Sequence, residues 1–283
     1  MLPTRRDLKF TLDDVDLRTW NAQGPLLSAY MNTLSLFFPD GERYFIHALR
    51  QYREQITEPA LKAEVTAFIG QEAMHGREHE VYNEQLAAQG MPAAELGRSI
   101  LAIIESAKRL PPQVQLSITI ALEHFTAIYG DLLLRKPALI EGSDPHMSAM
   151  WRWHALEETE HKGVAYDVYA KVMGNTLKAY LLRTSTLVVI TTLFLSLIAA
   201  AMAKMVLTDP AIDKSPRQWA KFAWVMLGPL GGLRGIALPW LDYFKPGFHP
   251  WDQDNRHFLA QIDEIAAQYE VPVKAPSRVA AAA

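Results

Sequence analysis

Apolar residues recur at intervals of three and four along most of the chain, which predicts a succession of amphipathic helices. Between 24 and 55 the apolar stripe runs through Leu26, Leu27, Tyr30, Met31, Leu34 and Phe37. It breaks at Pro39-Asp40-Gly41 and resumes at Phe45, Ile46 and Leu49. A second helical segment covers 58–89 and is ended by Gly90 and Pro92. A shorter one covers about 93–109. Pro111-Pro112 opens the next, which runs to about 135, near Pro137. Residues 145–173 make another, stopped by Gly174. There is no convincing alternation of period two, no hairpin signal and no internal repeat. The pattern predicts an all-α fold, with an antiparallel helical bundle over 24–174.

The flanking segments read differently. Residues 1–23 form a leader that is expected to be poorly ordered or strand-like. The C-terminal region, 175–272, is apolar and helical. Within it, residues 184–203 lack any charge and lie between Arg183 and Lys204. At the helical rise they span about 30 Å, the thickness of a bilayer core. Insertion into a membrane and burial as a bundle helix both remain open on that evidence. The apolar piece 222–233 is too short to span and has Gly-Pro and Gly-Gly breaks. The loop FKPGFHPWDQDN, 244–255, is expected to pack Phe248 and Trp251 on the bundle rather than to use His249 or Asp252 directly. Residues 273–283 read as a disordered tail.

Composition narrows the function. The net charge is −3 with the two signs interspersed, which gives no footprint for nucleic acid. Cysteine is absent, so disulfides, thiolate zinc and iron–sulfur clusters are excluded. Any metal must be held by His, Glu and Asp, as iron, manganese or zinc are in N/O sites. The Arg5-Arg6 pair has no apolar run behind it, so no secretory signal is read. The expected location is cytoplasmic, with attachment to the inner membrane as an added option through 184–203.

Two Glu-x-x-His pairs fall on separate predicted helices, Glu72–His75 and Glu158–His161. That spacing puts both side chains of a pair on one face, a turn apart. Two further helices each offer a glutamate in an apolar setting, Glu42 and Glu123. This is the order a four-helix bundle needs to hold two metal ions between its helices. Four carboxylates and two neutral imidazoles balance two divalent cations; without metal the acids would repel one another in a dry core. His154, four residues before Glu158, shares the stripe of Glu158 and His161. His79, His124, Glu157 and Glu160 are nearby decoys, with surface exposure as their default. Glu157, Glu160 and Asp131 are candidates to orient the imidazoles.

These motifs resemble the ferritin-like di-iron carboxylate superfamily over residues 24–173. His154 as an additional ligand looks like the arylamine N-oxygenase branch of that superfamily. The resemblance implies a ligand set of Glu42, Glu72, His75, Glu123, His154, Glu158 and His161, and two iron ions, with manganese or zinc as substitutes. The stretches PDGERYF, QEAMHGREH, WHALEETEHKG and PGFHPWDQDN also resemble a bacterial family of predicted metal-dependent hydrolases.

Three functions follow as expectations. The leading one is a non-haem di-iron oxygenase that activates O₂ to oxidise a hydrophobic, lipid-like or amine substrate. It would need an external electron donor. The second is a di-metal hydrolase of an ester or phosphoryl substrate, and the third is a ferroxidase or metal-binding protein. Membrane contact and a second copy of the chain are the other candidate partners.

Overall fold

In the computed structural model, residues 1–271 are described; the tail expected at 273–283 falls outside them. The long helices are α1 (Pro25–Ser35), α2 (Phe38–Arg50), α3 (Pro59–Ala88), α4 (Ala93–Ala107), α5 (Pro112–Arg135), α6 (Pro145–His161), α7 (Val164–Met173) and α8 (Leu177–Thr208). Helix α9 (Pro216–Leu227) and the short α10 (Ala237–Asp242) and α11 (Ile262–Tyr269) follow. Among the described residues the strand-type pairing is one isolated antiparallel bridge, Leu8 to Glu270. The chain is all-α, as the hydrophobic period predicts.

Proline sets most of the starts. It stands in the first turn of α1, α2, α3, α5, α6 and α9, where its missing N–H costs nothing and its fixed φ suits the helix. That is why Pro39-Asp40-Gly41 begins α2 instead of breaking a helix, and why Glu42 sits one turn inside it. At α6, Asp144 caps the helix by accepting hydrogen bonds from the backbone N–H groups of His146 and Met147. The segment expected to continue to 173 is interrupted at Lys162-Gly163. A Cβ on Gly163 would lie 2.7 Å from Trp251 Nε1, so the chain yields there to an indole from the far C-terminal loop.

Helices α2, α3, α5 and α6 surround the centre of the molecule, and two glycines let them close up. A Cβ on Gly130 of α5 would come within 3.2 Å of the α6 backbone at Ala155. One on Gly76 of α3 would come within 3.1 Å of Glu42 Oε2 on α2. The leader is ordered against this core. Leu8, Phe10, Leu12, Val15, Leu17 and Trp20 are buried, so expected poor order is replaced by packing. The backbone N–H of Phe10 donates to Glu78, and that of Lys9 to the carbonyl of Tyr269.

Helix α8 packs one face on α1 and α5 and exposes the other. It is long and apolar enough to cross a membrane, but only 28% of its most apolar stretch is buried within the protein. Leu181, Val188, Val189, Leu193 and Leu195 are exposed. It is thus neither a fully enclosed bundle helix nor one free of the bundle along its length.

Candidate metal centre

The sequence-predicted residues converge in the core. Glu42 comes from α2, Glu72 and His75 from α3, Glu123 from α5, and His154, Glu158 and His161 from α6. All seven are buried. Ligand-type atoms gather in three overlapping groups: Glu42 with His75 and His154, Glu72 with Glu123 and His161, and Glu72 with His75 and Glu158. Glu158 lies between the first two groups, with one oxygen 3.1 Å from His154 Nε2 and the other 3.5 Å from His161 Nε2. The shared stripe on α6 predicts His154 beside Glu158 and His161; the structure keeps it 3.1 Å from Glu158 but groups it with Glu42 and His75 instead of His161. Two turns of α6 separate the two histidines, and they face opposite ends of the cluster.

Burial and mutual repulsion dominate the electrostatics. Burial, then the neighbouring carboxylates, pushes Glu42, Glu72 and Glu123 well above the usual carboxylate range. Burial also raises Glu158, but the imidazoles of His161 and His154 outweigh it and hold this carboxyl well below that range. Burial, then the neighbouring imidazole of His154, lowers His75 and His79 well below the ordinary histidine value.

Hydrogen bonds around the cluster fix which nitrogen of each imidazole faces inward. Gln71 donates through its amide nitrogen to Glu160 and to the carbonyl of Thr4, so its amide oxygen faces His161 Nδ1 at 2.9 Å. Nδ1 therefore carries a proton, and Nε2 faces Glu72 at 3.1 Å, where it presents a lone pair in the neutral imidazole that metal binding requires. His75 Nε2 bonds to Glu157 at 3.0 Å, which leaves Nδ1 facing Glu158.

The third imidazole is set from farther away. Asn83 donates to the carbonyl of Ser35, so its side-chain oxygen accepts the Ser35 hydroxyl. The Ser35 oxygen then accepts from His79 Nδ1, 2.8 Å away. Neutral His79 has only a lone pair left on Nε2, which takes the proton of His154 Nδ1 at 2.8 Å. His154 Nε2 is left bare, facing Glu158 and Glu42.

Lone pairs of nitrogen and carboxylate oxygens facing one another need protons or cations between them. Both oxygens of Glu42, Glu72 and Glu123, one of Glu158, His75 Nδ1 and His161 Nε2 have no hydrogen-bond partner. So many orphaned buried acceptors are costly unless a cation satisfies them. Donors bound to one ion at about 2.0–2.2 Å stand about 3.0–3.5 Å apart. Two spacings at this cluster, 3.1 and 3.5 Å, lie in that range, and two more, 3.6 and 3.7 Å, lie just outside it. The residues fit divalent metal.

Three expectations are corrected around the centre. His79, Glu157 and Glu160 are buried, not exposed; His79 bonds to His154, Glu157 to His75, and Glu160 to Gln71, the partner of His161. Glu157 is pushed up to about 7 by burial, against the pull of Arg6. Asp131 does not reach the imidazoles; it pairs with Arg135 and Asn255. His124 is buried and bonded to the carbonyl of Pro239. The leader supplies contacts that the sequence reading missed: Arg6 bonds both Glu157 and Glu160, and the Thr4 N–H donates to Glu160. In the C-terminal loop, Phe248 packs on His124 and Tyr243, and His249 bonds to Asp167.

The sequence profile of the family described as "predicted metal-dependent hydrolase" matches residues 4–254, nearly the whole chain. No curated protein and no solved structure matches it. The family match overturns the expectation of an O₂-dependent di-iron oxidoreductase. The physical reason is that carboxylate and imidazole donors bind zinc and manganese as well as iron, so the ligand set alone does not select redox chemistry.

Proposed function

We propose a function from one premise: the chain belongs to the family of predicted metal-dependent hydrolases. The reading is that it hydrolyses an ester or phosphoryl bond with two divalent cations held by Glu42, His75 and His154 on one side and Glu72, Glu123 and His161 on the other, with Glu158 between. The observation that carries it is the pair of buried groups in which every inward-facing atom except His154 Nε2 lacks a hydrogen-bond partner. Zinc, manganese and iron all suit these donors.

Bound cations of this kind polarise an ester or phosphoryl oxygen and make water acidic enough to attack near neutral pH. The chain's own residues do the positioning. Glu157, Gln71 and His79 hold His75, His161 and His154 with one lone pair inward. Arg6 balances the charge of Glu157 and Glu160 behind them. A cavity of about 110 Å³, lined by Tyr30, Phe38, Phe125, Trp151, His154 and Glu158 among others, brings apolar walls up to the centre and keeps bulk water away.

The reading includes an attachment to a membrane surface through α8. Its support is the exposed apolar face of that helix and the charge of the segment 177–245, which has eight lysines and arginines against three aspartates. Trp219 and Trp224 are exposed in the same segment.

The test is elemental analysis of the purified protein, followed by assays of chromogenic carboxylic esters and phosphodiesters with and without chelator. Two metal equivalents and chelator-sensitive cleavage are expected, both abolished in Glu123→Gln. A protein that binds no metal, or cleavage indifferent to chelator, would overturn the reading.

A further inference from the structure

We infer that the groove between α4, α5 and α8 holds the aliphatic chain of an amphiphilic substrate, with the chain's polar end at Glu42. The inference rests on the hydrolase reading and adds the substrate class to it.

The groove has a volume of about 620 Å³ and opens to the surface among Ile103, Leu110, Val189 and Leu193, all of them exposed. Its α8 wall is the stripe Ser185, Val189, Leu193 and Leu197, and its α4 wall is Ile100, Ile103, Ile104 and Ala107. The α8 stripe is about 18 Å long at the helical rise. Inside, the groove reaches Glu42, the one charged side chain in its lining. Glu42 is 2% exposed and both its oxygens lack a partner. A long apolar slot that ends on an unpartnered buried carboxylate of the candidate centre is built for an occupant that is greasy along its length and polar at its tip.

Shape decides between occupants. A helix of a partner protein is about 10–12 Å across, and its own backbone would have to follow into the core. A second copy of this chain would cover the mouth but leave the inner end untouched. An unbranched hydrocarbon chain is thin enough to enter and buries apolar surface at every methylene. The smaller cavity at His154 and Glu158 shares Leu34, Phe38, Thr126 and Phe194 with the groove, so the two spaces meet along one wall beside the metal ligands. The chain of the substrate lies in the larger space, and its scissile end reaches the centre.

The experiment uses the purified full chain and the neutral fluorescent probe N-phenyl-1-naphthylamine, displaced by primary alcohols from octanol to tetradecanol. Each added methylene is expected to strengthen displacement about fourfold until the groove is filled, the factor that corresponds to about 0.8 kcal/mol per buried methylene. Leu193→Trp and Val189→Trp, at exposed groove-lining positions, are expected to weaken displacement more than about tenfold, whereas Leu195→Trp, exposed on α8 outside the groove, leaves it unchanged. Melting curves check that all three variants stay folded. Displacement that ignores chain length, or that responds alike to the three substitutions, would overturn the assignment. The readout needs no turnover. Chain binding without hydrolysis would sink the hydrolase reading and leave the groove standing. Hydrolysis of short esters with no chain-length dependence of binding would do the reverse.

Discussion

His79 Nε2 stands 2.8 Å from His154 Nδ1, and that hydrogen bond turns the far nitrogen of His154 toward Glu42 and Glu158. The orientation is inherited from Asn83 through Ser35, three polar side chains away from the cluster. A histidine that touches no carboxylate of the centre thus sets the donor atom of one that does.

Removing that contact is expected to weaken metal binding without removing any ligand. His79→Phe should lower affinity at the group of Glu42, His75 and His154 by about 10- to 100-fold, the usual effect of losing a group that orients a ligating histidine. Competition titration against a fluorescent chelator measures it. Unchanged affinity with an intact fold would show that His154 is oriented by its own helix alone.

Gly76→Ala tests the approach of α2 to α3. The new methyl meets the end of the Glu42 side chain at 3.1 Å, so the carboxylate must move while the backbones stay. Alanine also favours the helix by about 1 kcal/mol over glycine. We expect a melting temperature equal to or above that of the parent, with metal affinity reduced about tenfold. A melting temperature that falls by several degrees would mean that the backbone, not Glu42, absorbs the strain.

The metal-free protein should lose stability as the pH rises from about 7 to about 8. Glu42, Glu72 and Glu123 have folded-state values raised above the unfolded value of about 4.3. Their contribution is complete below the unfolded value and is lost as the pH climbs toward the folded ones. His75 and His79 are lowered, so their effect lies at and below about 6.5, outside this window. Lys162, lowered to about 8 by burial, opposes the trend only above that pH. Thermal melts in chelator should therefore show a falling midpoint across the window, and saturating zinc should remove the fall. A flat or rising midpoint in chelator would contradict the assigned protonation.

Binding to lipid should depend on charge. The full chain is expected to sediment with vesicles rich in phosphatidylglycerol and not with pure phosphatidylcholine. Substituting exposed Lys178 and Arg217 by glutamine should weaken binding about thirtyfold, since each basic residue near an anionic surface contributes about 1 kcal/mol. Equal partition onto both vesicle types would reduce α8 to an apolar face without an electrostatic guide.

Much of the site was legible because it depends on local spacing. Glu72 with His75 and Glu158 with His161 are one turn apart on one face, and a helix keeps them so wherever it packs. Glu123 stands out as the acid in an otherwise apolar run of α5. What was not legible depends on contacts between distant segments. His79 lies one turn beyond His75, but its meaning comes from Ser35 on α1. The interruption at Gly163 comes from Trp251, and no residue of α6 announces it. The leader did carry a signal: Leu8, Phe10 and Leu12 alternate with polar residues, as in an extended segment with one buried side. The choice between redox and hydrolytic chemistry was never present in the ligands, because the same oxygen and nitrogen donors serve both.

The anchoring of Glu157 and Glu160 by Arg6 and Thr4 has a consequence for how the protein is made. During synthesis the brace emerges from the ribosome first and the glutamates it braces come some 150 residues later, and the bridge of Leu8 to Glu270 forms later still. Ions that arrive early would meet loose carboxylates on α2 and α3 only. The residues of the cluster and the side chains that orient them all lie at or before His161, so selective loading must wait for α6, and slowing elongation ahead of α6 should leave a nascent protein with the acids of its earlier helices made and His154, Glu158 and His161 absent.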